Sequence, residues 1–131
     1  MAVEWTLRAV ILVAVGAALG GVLRYFAGVL LTRTDYPWGT LAVNVVGSFL
    51  LALFMFVGLQ RGVFGPDARL FVATGILGGF TTMSSFSYET MSFLEDAEYL
   101  RATGYAALTF VGSIGAAIAG RLAAGLMPGG G

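Results

Sequence analysis

The chain has 131 residues, 58% of them hydrophobic and 11% charged, with a mean hydropathy of +0.89, more apolar surface than one soluble core of this size can hide. Seven arginines balance seven acids, so no basic footprint marks a nucleic-acid partner. Cysteine and histidine are both absent, which excludes disulfides, thiolate metal sites, cysteine nucleophiles and the usual zinc and general-base chemistry.

A hydrocarbon core of about 30 Å is crossed by roughly 20 helical residues, and the uncharged runs predict an all-α membrane protein with four such spans. The first is expected over 3–31, interrupted by Arg24. It begins without a basic leader or a small-residue cleavage site and reads as a retained span. The second is expected over 37–60, with Pro37 suited to a first helical turn. The third covers 69–94 and carries glycine pairs and hydroxyls where a helix should continue, which predicts a break near Gly78–Thr82. Unwound backbone inside a bilayer is tolerated where protein or a water-filled cavity satisfies its polar groups, so the break points to an ion or solute path. The fourth is expected over 101–126, followed by Pro128 and a glycine tail. The loops are too short for a soluble domain, and residues 1–131 read as one transmembrane unit.

Small residues recur at helix-packing spacing: Gly16 with Gly20, Gly75 with Gly79, and Gly112 with Ala116 and Gly120. Four short spans enclose little by themselves, so oligomerisation is expected. Arg8, Arg61, Arg69 and Arg121 fall on one side of the membrane and Arg24, Arg33 and Arg101 towards the other. Four against three fits either insertion in both orientations, which permits an antiparallel two-fold dimer, or a weak bias that the native membrane reads.

Several residues stand out within the spans. Arg24 lies two turns inside an apolar end, where it either pairs with Glu89, snorkels to the interface, or draws anions into a vestibule. Asn44, with Ser48 one turn further, must find a partner or meet water; an interhelical hydrogen bond is the commoner fate of such an amide, and donation to an anion is the alternative. The carbonyls freed at Gly78–Gly79 suit a hard cation. Phe80 and Phe86 are by default core aromatics, but a ring edge carries partial positive charge and accommodates a small anion in the ring plane. Tyr105, Thr109 and Ser113 follow one another at i, i+4 spacing, a polar stripe on an apolar span.

Three segments in order then carry a resemblance: Gly20-Gly21-Val22-Leu23-Arg24-Tyr25, Gly39 to Phe49, and Gly78 to Phe86. Across essentially its full length the chain resembles the small dual-topology fluoride channels of the Fluc or CrcB family. The resemblance implies an antiparallel homodimer in the cell's inner (plasma) membrane, exporting fluoride passively and giving fluoride resistance, with a structural sodium ion at the dimer centre. Gly78 and Thr81 match the carbonyl positions for that sodium. Asn44 matches a fluoride donor, Phe86 a ring edge, and Tyr105, Thr109 and Ser113 a polar track; Arg24 matches a vestibule arginine and Glu89 a carboxylate near the pore end. Met83 departs from the family, which usually has a phenylalanine there, and a thioether offers no comparable positive edge.

Two other classes compete. A proton-coupled exporter of the small multidrug type has the same helix count but needs a carboxylate deep in the membrane, and the acids of this chain fall towards span ends or in loops. An inert packing subunit would explain the glycine rows but not the aligned hydroxyls.

Overall fold

The computed structural model describes residues 5–128; the expected span start at Val3, the acid Glu4 and the glycine tail after Pro128 lie outside the described residues. Helix α1 (Leu7–Leu31) opens on Thr6, whose side chain accepts from Ala9 N at 3.1 Å. Helix α2 (Trp38–Arg61) begins one residue after Pro37, whose carbonyl accepts from Leu41 N, and it ends on Gly62 at a left-handed φ of 62°.

The third span, Pro66–Glu95, is built from four pieces. A proline-led turn, α3 (Pro66–Ala68), passes into a nine-residue π-helix, π1 (Arg69–Leu77), and a last turn, α4 (Gly78–Phe80). Thr81 and Thr82 are then extended, with φ/ψ of −85°/156° and −152°/117°, and α5 (Met83–Glu95) restarts the helix. Helix α6 (Tyr99–Leu126) forms the fourth span. The bend falls where the glycine and hydroxyl pattern predicts it. The π-helix was not foreseen, since apolar spacing does not separate i→i+5 from i→i+4 bonding over nine residues.

Packing follows the small residues. α1 lies on π1 and α4 so closely that a Cβ at Gly20 would collide with Ile76 O, and α6 lies on α2 so closely that a Cβ at Gly120 would collide with Phe49 O. Lipid supplies no hydrophobic drive between helices, so close backbone approach and the dispersion contacts it allows hold these pairs. Large apolar side chains such as Val15, Leu19, Val111 and Ile118 stay exposed, as a bilayer permits and water does not. Polar ties fasten the ends. Arg8 pairs with Asp67, Arg61 donates to the carbonyls of Ala124 and Met127, and Arg101 pairs with Asp35 at 3.0 Å and Glu98 at 2.9 Å.

Candidate ion pathway at the helix break

Asn44 determines the shape of the break. Its side chain, on α2 and buried, accepts from Thr82 N at 2.8 Å and donates to Thr82 O at 3.0 Å, replacing the helical partners that an extended residue loses. Thr82 then caps α5, its hydroxyl accepting from Ser85 N at 3.2 Å. In an unbroken helix Thr82 N would bond Gly78 O and Ser85 N would bond Thr81 O. Both donors are diverted, so the Gly78 and Thr81 carbonyls are released for another partner. Thr81 itself is held, its N–H and its hydroxyl both returning to Leu77 O at 3.1 Å.

Across from the break, α6 turns Thr109 and Ser113 inward, one turn apart. Both hydroxyl oxygens are buried with no hydrogen-bond partner among the described residues. Buried hydroxyls are normally satisfied, and leaving one bare costs about 1–3 kcal/mol. They border a cavity of about 250 Å³ with Asn44, Ser48, Thr82, Met83, Phe86 and Phe110. Among the described residues no charged side chain lines it. Asn44 spends one amide N–H on Thr82 O, which leaves a second for the cavity.

Phe86 is nearly buried (6% exposed), with ring centroids 5.2 Å from Tyr105 and 5.4 Å from Phe110. Tyr105, fully buried, does not reach the cavity of Thr109 and Ser113. Its hydroxyl donates to Glu89 at 2.5 Å, and Thr40 donates to the other carboxylate oxygen at 2.7 Å. Glu89 therefore serves α2 and α6 rather than Arg24. Glu89 lies in the last two turns of α5, which ends at Glu95, towards the end of the third span as expected from the sequence. Thr40 was missed from the sequence, although Thr40, Asn44 and Ser48 repeat the i, i+4 spacing of Tyr105, Thr109 and Ser113. The two stripes flank α5.

Arg24 occupies a second, larger cleft of about 670 Å³, lined also by Tyr25, Thr40, Val43, Thr82 and Ser85. Thr82 lines both this cleft and the smaller cavity. Among the described residues Arg24 makes no ion pair, so its charge is available to the cleft. Met83 borders the smaller cavity and is 61% exposed, directed away from the packed centre of the chain. The arrangement thus offers neutral hydroxyl and amide donors beside a ring, a cation in a wide mouth, and two carbonyls at the break whose helical donors bond elsewhere.

Residues 11–121 match the family described as CrcB-like protein, Camphor Resistance (CrcB). The chain is 47% identical over 115 residues to the fluoride-specific ion channel FluC of Anaeromyxobacter sp. (strain K), covering 86% of this chain and 91% of that one. It is 46% identical over 113 residues to the protein of the same name from Sulfurihydrogenibium sp. (strain YO3AOP1), covering 84% and 91%. With the Thermus thermophilus protein of that name it shares 48% identity over 99 residues, 73% of this chain and 78% of that one. A match over most of the chain, on a fold of four membrane-spanning helices with a broken third, makes this chain a member of the CrcB-like family.

Proposed function

We propose that the chain is a passive fluoride channel of the cell's inner membrane, letting cytoplasmic fluoride leave down its electrochemical gradient. The observation that carries this reading is the pair of buried, unpartnered hydroxyls, Thr109 and Ser113, beside the Phe86 ring in an uncharged cavity. A small, strongly hydrated anion gives up water only where donors replace it, and it leaves again only where no fixed cation traps it. Hydroxyls, the spare Asn44 N–H and a ring edge meet both conditions, and Arg24 raises the local anion concentration at the wide cleft. The names of the relatives support fluoride as the ion.

The same reading includes assembly. One chain walls the cavity on one side and leaves Met83 exposed at its edge, which supports a second copy completing the path; an antiparallel homodimer fits the near-even arginine count. Gly78 and Thr81 carbonyls suit sodium, a hard cation that oxygen ligands hold, and one chain's two released carbonyls are too few without those of a partner. The proton-coupled exporter is the weaker reading, since it needs a carboxylate in the solute path and, among the described residues, no charged side chain lines the cavity.

The test is fluoride efflux from proteoliposomes with valinomycin clamping the potential, run beside chloride-loaded vesicles. Rapid fluoride release with negligible chloride release is expected. Release that follows an imposed pH gradient and ignores voltage would favour the exporter.

A further inference from the structure

Phe110 adjoins Thr109 on α6 and borders the same cavity. Its ring is 5.4 Å from that of Phe86 and almost perpendicular to it, at 85°. In such a pair the edge of one ring meets the face of the other, so the free edges of the two rings point in different directions. Phe86 is 6% exposed, but Phe110 keeps 51% of its surface open, so packing within the chain does not use up its ring. Phe110, Ser113 and Ile114 follow at helical spacing and all border the cavity, which puts the ring on the side that carries the bare hydroxyls. Met83, which also borders the cavity, contributes a thioether with no quadrupole.

We propose that Phe110 is a second aromatic contact for the permeating anion, its hydrogen-bearing edge meeting the ion that Thr109 and Ser113 bind through their hydroxyls. This rests on the fluoride reading above and extends it to a residue that the sequence analysis passed over. Two perpendicular rings let the ion keep an edge contact while it moves between stations, because it leaves the plane of one ring as it enters the plane of the other.

The experiment compares wild type, Phe110→Leu and the double variant Phe110→Leu with Met83→Phe in the efflux assay, with assembly followed by size exclusion. Leucine keeps the bulk and removes the edge. Fluoride release by Phe110→Leu is expected to slow by roughly threefold to tenfold, the scale of one quadrupolar contact. The double variant, which returns a ring to the same cavity from α5, is expected to recover most of that loss. Release at the wild-type rate from Phe110→Leu would mean a side chain that meets lipid, and a slowed rate that Met83→Phe leaves unrepaired would mean lost packing; either overturns the proposal. Should Phe110→Leu fail to assemble, Phe110→Met is read in its place. Wild-type protein that releases no fluoride brings down the channel reading as well, whereas wild-type release with unaltered Phe110→Leu release removes the aromatic contact alone.

Discussion

Asn44 on α2 and Thr109 on α6 border the same cavity, both buried and polar, but their hydrogen bonding differs. The Asn44 amide is committed to Thr82 on both its donor and acceptor sides, while the Thr109 and Ser113 hydroxyls have no partner among the described residues. A satisfied buried amide is architecture: it specifies where the third span breaks and how α5 restarts. An unsatisfied buried hydroxyl is a cost that folding alone does not return, and such a cost persists where a ligand offsets it. On the proposed reading, the comparison makes the α2 side mainly architecture, with one spare Asn44 N–H for the ion, and the α6 side mainly ion contact.

The largest expected effect tests the α2 side. Asn44→Leu leaves both buried Thr82 backbone groups without their partners, and at about 1–3 kcal/mol for each the loss is roughly 2–6 kcal/mol. Thermal unfolding in detergent should register it as a large drop in midpoint or as failure to assemble. An Asn44→Leu protein as stable as wild type would break the distinction. Next is Gly120→Ala, whose Cβ would strike the Phe49 carbonyl and part α6 from α2, costing about 1–3 kcal/mol as overpacking does. Gly115→Ala on the same helix meets nothing within 4 Å and is expected to leave the melting midpoint unchanged or slightly raised.

The α6 side should respond with the opposite sign. Thr109→Val with Ser113→Ala removes two bare hydroxyls, so stability should hold or rise, by up to about 1–3 kcal/mol for each hydroxyl removed. Fluoride release should nevertheless fall by about tenfold or more, the equivalent of a hydrogen bond to a charged group. Loss of stability and flux together would place these hydroxyls in the architecture with Asn44.

How much of this was legible in the sequence depended on the kind of signal. The bend near Gly78–Thr82 was visible because glycines and hydroxyls interrupt an apolar run, and the Tyr105, Thr109, Ser113 stripe because i, i+4 spacing survives in any helix. Thr40 belonged to an equally regular stripe with Asn44 and Ser48 but escaped notice, since threonine near a helix start ordinarily reads as a terminal residue. The Asn44 to Thr82 bridge was out of reach: the two residues are 38 positions apart, connected by geometry that no local pattern encodes. So was the π-helix, which packs on α1 with Gly75 close against Gly16. Phe110 was hidden among apolar neighbours, because which ring faces a cavity depends on how α6 is rotated against α5.

The smallest effect belongs to a third kind of polar group, satisfied but bathed in water. Arg101 pairs with Asp35 and Glu98 and lies 4.9 Å from the Phe93 ring, so by number of partners it rivals Asn44. Its Asp35 partner is 81% exposed, however, and water and salt compete for every one of those charges. Arg101→Met keeps the stem that packs on Phe93 and removes the charge. Its unfolding midpoint should fall less than for any destabilising variant above. Most of the difference from wild type should vanish at about 1 M salt, where the screening length is about 3 Å. A deficit that persists in high salt would mean that the cation lying against Phe93 and Tyr36, rather than the ion pairs, joins the α1–α2 loop to α6. Either way, the number of partners does not set the value of a polar contact here. Asn44 matters more because its bonds are buried, where water and salt compete for them far less than at Arg101.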